Sequence, residues 1–295
     1  MKRNIIGLVP ESYEHPFDHA ALRALKAIPG LDTIMNVVLN WTYIKWHVIE
    51  LQGSNFHVTP ESCPELFRLT KEIGHRLDIK DFPKIYTQWG YFINAYTAGY
   101  DENVLLVIYS GAVDLLSNEE LSFTIGHELG HIKSGHHLYH YIASVLSQAA
   151  ASIPGGDAII APLAVTLKYW DRMSEFTADR AGLLACQDIH VAVRTILKMS
   201  GLPMKYFDNM NEDAFIEQAV EFEDKYGGIA DKVIKTLSII DESHPWTVLR
   251  AAELIKWHRS GEYQQILDSV QLHECGNWIP AESQVCPFCG LPANQ

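Results

Sequence analysis

Apolar residues recur at helical spacing along most of the chain and at strand spacing over one short stretch. Residues 17–52 read as helical. Ala20, Leu22, Leu25 and Ile28 form one face before Pro29-Gly30, and a second run carries Ile34, Val37, Val38, Leu39 and Trp41. Thr59-Pro60-Glu61 opens a further helix through about Leu77, with Leu66, Leu69 and Ile73 on one stripe. After Pro83 the pattern changes. Residues 84–88, 91–97 and 104–109 are rich in β-branched and aromatic side chains and are separated by Gly90 and Gly99, which predicts a small sheet of short neighbouring strands. Ser117-Asn118-Glu119-Glu120 has the S-x-x-E spacing of a capping box, so another helix starts there. More helices are expected from about 162 to 186 and over 190–200, 213–225, 228–240 and 246–258. The fold class is α+β, mostly helical with one small β-sheet.

The helix that begins at Ser117 contains His127-Glu128-Leu129-Gly130-His131. Positions i and i+4 share a face, so both imidazoles can aim a ring nitrogen at one Zn²⁺ about 2.0–2.1 Å away. Glu128 lies roughly 100° around from His127, near enough to hold a metal's water but poorly placed as an in-line ligand. Leu121, Ile125, Leu129 and Ile132 form an apolar stripe on a different face, whereas histidines merely hydrogen-bonded in a core are the plain alternative.

A catalytic zinc usually keeps three protein ligands, and two residues compete for the third place. His137 stands at the metzincin spacing H-E-x-x-H-x-x-G-x-x-H, but Ser134 occupies the glycine position and Gly135 comes one residue late. On an unbroken helix His137 would project roughly 120° from His131 and miss the metal. Glu175 is the other candidate. It lies one turn before Asp179, so the first can ligate while the second accepts a hydrogen bond from the far nitrogen of a ligating histidine. As an ordinary surface pair they would repel by a few tenths of a kcal/mol, which Arg172 and Arg180 could relieve.

Taken together, the Asn94-to-Gly99 stretch N-A-Y-T-A-G, the E-E-L-x-x-x-x-x-H-E-x-x-H helix, the E-x-x-A-D helix and Asp241-Glu242-Ser243-His244-Pro245 with Arg250 resemble the M48 metalloendopeptidases, the family of the HtpX proteases. The resemblance covers roughly residues 55–260, with the motifs in family order. It implies a zincin-type fold of the gluzincin kind, with His127, His131 and Glu175 binding zinc and Glu128 as general base and acid. It further implies that Asp179 orients a ligand, that His244 donates to the oxyanion, and that Arg250 pairs with a site carboxylate. A polypeptide substrate would pair with the sheet edge beginning at Asn94 and Ala95.

The domains expected are an N-terminal helical extension over 1–54, a peptidase domain over 55–265 and a cysteine tail over 266–295. In the tail, His273, Cys275, Cys286 and Cys289 resemble a small zinc ribbon whose first turn is irregular, because Leu272 stands where C-x-x-C needs a cysteine. A second, structural zinc is expected there; a vestigial ribbon without metal is the alternative. Cys63 and Cys186 read as core or near-surface thiols. The net charge of −13 argues against nucleic acid, whose binding draws on Lys and Arg. The apolar start is too short for a signal core, and few cysteines suggest a reduced chain, so a cytoplasmic location is expected. Residues 141–170 are largely apolar but are divided by Pro154-Gly155-Gly156-Asp157, which favours buried helices over a membrane-associated hairpin. The reading from the residues is a zinc metalloendopeptidase. Its rivals are a silent scaffold that binds partners through the ribbon and a hydrolase of non-peptide amides.

Overall fold

The computed structural model describes residues 2–27, 42–99, 103–136, 156–225 and 246–293. In chain order these form α1 (Pro16–Lys26), α2 (Thr42–Ser54), β1 (Phe56–Val58), α3 (Pro64–Arg76), β2 (Lys84–Gln88), β3 (Ala95–Ala98), β4 (Leu105–Tyr109) and α4 (Ser110–Leu115). Then come α5 (Asn118–Lys133), α6 (Gly156–Cys186), α7 (Ile189–Met199), α8 (Glu212–Lys225), α9 (Thr247–Ser260), α10 (Glu262–Asp268), β5 (Val270–Leu272) and β6 (Trp278–Pro280). The mostly helical α+β class expected from the pattern is the class observed.

The sheet order is β1-β2-β4-β3, with β2 and β4 parallel and the outer pairs antiparallel. Side-chain alternation splits the sheet between two cores. Ile85, Leu106 and Ile108 join the main helical core with Ile125 and Leu129, while Tyr86, Leu105 and Val107 pack with Val48 and Leu51 of α2. Strands covered on both faces read as continuous apolar runs, which explains the sequence Leu105-Leu106-Val107-Ile108 of β4. β3 is an outer strand of this sheet.

The α5 start is capped as the spacing predicts. The Ser117 hydroxyl accepts from the Glu120 N–H at 3.3 Å, and the Glu120 carboxylate accepts from the Ser117 N–H at 2.8 Å. Lys198 of α7 reaches the same carboxylate at 2.8 Å, tying the two helices together in a buried contact. The helix ends at Lys133 because Gly135 turns to a φ of 72°, a conformation that favours glycine.

Along α5 and α6 the backbones approach as closely as small residues permit. A methyl group added at Gly126 would lie 2.2 Å from the Ala185 Cβ, and one at Gly130 would lie 2.4 Å from the Ala181 Cβ. Interaxial distance depends on the side chains at the contact, so larger residues here would push the two helices apart.

Some boundaries differ from expectation. The helix expected from Thr59 begins at Pro64, because the Thr59 hydroxyl instead accepts from the Glu61 and Ser62 N–H groups and closes a turn. The three-residue strand β1 is too short to show alternation. The helix expected from about 162 already starts at Gly156, and the part of the apolar stretch over 141–155 lies outside the described residues. The predicted N-terminal extension is, over residues 2–27, part of the main body: Ile5, Leu8 and Tyr13 are buried in the same core as α5 and α6. Likewise the expected boundary at 265 falls inside α10, whose Leu267 is buried in that core. No helix among the described residues is long and apolar enough to cross a membrane.

Candidate active site

One turn of α5 separates His127 from His131, and their Nε2 atoms lie 3.2 Å apart. Glu175 comes from the facing turn of α6, with one carboxylate oxygen 3.4 Å from His131 Nε2 and the other 3.6 Å from His127 Nε2. All three side chains are buried. Ligands bound at about 2.0–2.1 Å around a tetrahedral zinc stand roughly 3.3–3.4 Å apart, so the spacing of these donors, two imidazoles and a carboxylate, fits that ion. The close α5–α6 contact brings them together. His137, the competing candidate, lies outside the described residues.

Each imidazole is held from behind. His127 Nδ1 is 3.0 Å from Asp179 Oδ1, and Arg250 of α9 grips the same carboxylate through Nε at 2.8 Å and Nη2 at 2.6 Å. Burial opposes ionisation of Asp179, but the Arg250 charge and both sets of hydrogen bonds outweigh it and hold its pKa below the usual carboxylate value. The ionised carboxylate therefore accepts from His127 Nδ1–H, which leaves Nε2, facing Glu175 and His131, as the ring nitrogen available to a metal. The surface-network reading of Glu175 and Asp179 is not what is found. Arg172 bonds Asp171, and Arg180 donates to the Tyr13 and Glu14 carbonyls while stacking on Trp257.

His131 has a different support. Its Nδ1 lies 3.0 Å from His136 Nδ1, and His136 Nε2 lies 3.1 Å from Asp18 Oδ2 in α1. Trp170 Nε1 and the Thr177 hydroxyl also donate to Asp18, at 2.9 and 2.6 Å. The sequence reading missed this chain. Gly135 was the available signal, since the turn it makes after α5 folds His136 back toward His131. Asp18 gave none, because an acid in a helix's first turn is explained by the helix dipole alone.

Glu128 points beside the triad, with Oε1 3.9 Å from His127 Nε2. A cavity lined by Asn94, Ala95, Phe123, Thr124, Met199 and Arg250 also touches His127 and Glu128, so the predicted substrate-contacting pair Asn94 and Ala95 borders the same space. Phe123, Thr124 and Met199 were not singled out from the sequence. His244 lies outside the described residues. In the tail, donor atoms of His273, Cys275, Cys286 and Cys289 converge within 4.8 Å of one another.

Comparison with known proteins places the chain in a family. Residues 64–258 match the model of peptidase family M48. A plastoglobule-localized metallopeptidase 48, chloroplastic, from Arabidopsis thaliana is 32% identical over 259 residues, covering 87% of this chain and 75% of its own length. A protease HtpX homolog of Polynucleobacter necessarius is 24% identical over 234 residues, 70% of this chain and 77% of its own. Another from Salinibacter ruber is 30% identical over 167 residues, 50% of this chain and 59% of its own. The matched span contains both α5 and the turn of α6 that carries Glu175, the family is the one the motif order resembled, and the chain belongs to peptidase family M48, the metalloproteases.

Proposed function

We propose that this metalloprotease is a zinc-dependent endopeptidase in which His127, His131 and Glu175 hold the metal and Glu128 moves the proton. The observation that carries this is the buried triad of donors 3.2–3.6 Å apart with a second carboxylate, Glu128, alongside. When bound, zinc supplies a Lewis acid that acidifies water toward pKa ~7 and polarises the scissile carbonyl. Glu128, alongside these donors, would take a proton from the attacking water and return it to the leaving amine. Asp179, held by Arg250, keeps His127 in the tautomer that ligates. His244 is assigned the oxyanion contact on the family resemblance. An extended peptide would lie against the outer strand β3 near Asn94 and Ala95, where backbone hydrogen bonds give affinity with little sequence selectivity.

Of the two placements open to the sequence, cytoplasmic or peripheral to a membrane, the peripheral one is supported by the name of the Arabidopsis relative, a plastoglobule-localized protein.

Metal removal tests the reading. Dialysis against EDTA is expected to abolish casein digestion by the full chain, and added zinc is expected to restore it. Undiminished digestion by metal-free protein would overturn the zinc mechanism. A fully zinc-loaded chain that cleaves no protein substrate would favour the scaffold or non-peptide reading.

A further inference from the structure

The tail folds around too little apolar surface to hold itself. Its core cluster consists of Ile279, Cys286 and Ala293, beneath the short hairpin of β5 and β6. Units this small generally need a disulfide or a metal. Two glycine-ended turns face each other across it. In one, the Gly276 N–H bonds the His273 carbonyl at 2.8 Å; in the other, the Gly290 N–H bonds the Cys286 carbonyl at 2.9 Å. Both glycines have positive φ, 84° and 75°.

The donors between these turns are spaced for a tetrahedral ion. Cys275 Sγ lies 3.6 Å from Cys286 Sγ, and His273 Nδ1 lies 3.1 Å from Cys275 Sγ and 3.7 Å from Cys289 Sγ. Zinc bonds of about 2.3 Å to sulfur and 2.0–2.1 Å to nitrogen separate tetrahedral ligands by roughly 3.5–3.8 Å. A disulfide would need the sulfurs about 2.05 Å apart. The histidine's tautomer is fixed as well. Its Nε2 lies 3.1 Å from the Pro292 carbonyl, which can only accept, so Nε2 carries the proton and Nδ1 keeps its lone pair toward the thiols. That lone pair accepts from the Cys275 N–H at 3.2 Å, a contact that a bound metal would replace. Asn277 Nδ2 donates to Cys275 Sγ at 3.4 Å, support of the kind that metal thiolates receive.

We propose that His273, Cys275, Cys286 and Cys289 form a second, structural zinc centre, bound through Nδ1 of His273, that holds the C-terminal tail folded and is separate from the peptidase site. The irregular first turn follows from the ligand. Where a second cysteine would sit at Leu272, the imidazole one residue later reaches the metal instead.

Cobalt substitution of the full chain, kept reduced, separates the two centres. The peptidase triad contains no thiolate, so thiolate-to-cobalt charge-transfer absorption reports the tail alone. That absorption is expected in the wild type and in Glu175→Ala, and is expected to vanish in Cys286→Ser, with zinc content falling from two equivalents to one. In His273→Ala a chelator should strip the tail metal far more readily. Absence of the absorption from the cobalt-loaded wild type, or a Cys275–Cys286 disulfide formed under these conditions, would overturn the centre. Unchanged chelator resistance in His273→Ala would overturn the role of His273.

A different observation, the buried chain from His131 through His136 to Asp18, carries an inference about the peptidase site and rests on His131 being a zinc ligand. With His131 Nε2 turned to the metal, its Nδ1 carries the hydrogen and donates to His136 Nδ1, and His136 Nε2–H donates to Asp18. Asp18 is anchored by Trp170 and Thr177, and the His136 ring stands edge-on to Trp170 with centroids 5.5 Å apart. We infer that His136 and Asp18 are positioning residues that set the tautomer and ring angle of His131, as Asp179 and Arg250 do for His127.

Loss of such support typically weakens metal binding by about 10–100-fold. That loss in zinc affinity at the peptidase site, read by chelator competition, is expected for His136→Asn, whose amide is too short to span both neighbours. His136→Gln, which can accept from His131 and donate to Asp18, should retain near-native affinity. Native affinity in His136→Asn, while His131→Ala loses the metal, would overturn this inference alone. Native affinity in His131→Ala would instead overturn the ligand assignment beneath it.

Discussion

The Glu128→Gln enzyme should bind zinc as the wild type does and digest casein at least about 10²–10⁴-fold more slowly, the range that a general acid–base residue contributes. The substitution keeps the shape of a buried side chain lying beside the metal donors, and it removes only the ability to take and return a proton. Zinc content and kcat are the paired measurements. Retained zinc with lost turnover isolates the proton step. Retained turnover would mean that another group serves as base and would sink the assignment of Glu128.

Arg250→Met is expected to cost the fold about 3–5 kcal/mol, because it leaves a buried carboxylate without its cation. Asp179 is 1% exposed, and Arg250 reaches it through two hydrogen bonds of 2.8 and 2.6 Å. Arg250→Lys would not be neutral either, since an ammonium cannot reproduce the two-pronged contact. Urea unfolding of the metal-free chain reads the stability directly. A double variant, Arg250→Met with Asp179→Leu, should recover part of the loss, because it leaves no buried charge unpaired and costs only the acceptor of His127 Nδ1–H. A loss below about 1 kcal/mol in the single variant would show that Asp179 finds other compensation, and that the pair is not what holds His127 in place.

Much of the peptidase site was legible because its parts obey local spacing rules. Ser117 and Glu120 announced the start of α5, the i,i+4 histidines placed two donors on one of its faces, and Glu175 with Asp179 repeated that interval on α6. The lengths of β2 and β4 were also near expectation, since buried apolar runs mark them. What remained hidden depends on partners far apart in sequence. The contact of Asp18 with His136 spans over a hundred residues, and the insertion of β4 between β2 and β3 is a property of the sheet as a whole. The misplaced start of α3 has a local cause: Thr59 and Pro60 form a turn whose residues also suit a helix entry.

The bond between Asp179 and Arg250 bears on when a growing chain can become a protease. The two residues stand 71 positions apart, and the ribosome adds roughly 5–20 residues each second. For several seconds or more after α6 has been made, the nascent chain carries His127, His131, Glu175 and Glu128 without the guanidinium that holds Asp179 in its charged, accepting form. Until α9 emerges and docks, the Asp179 carboxylate beside His127 lacks its Arg250 partner.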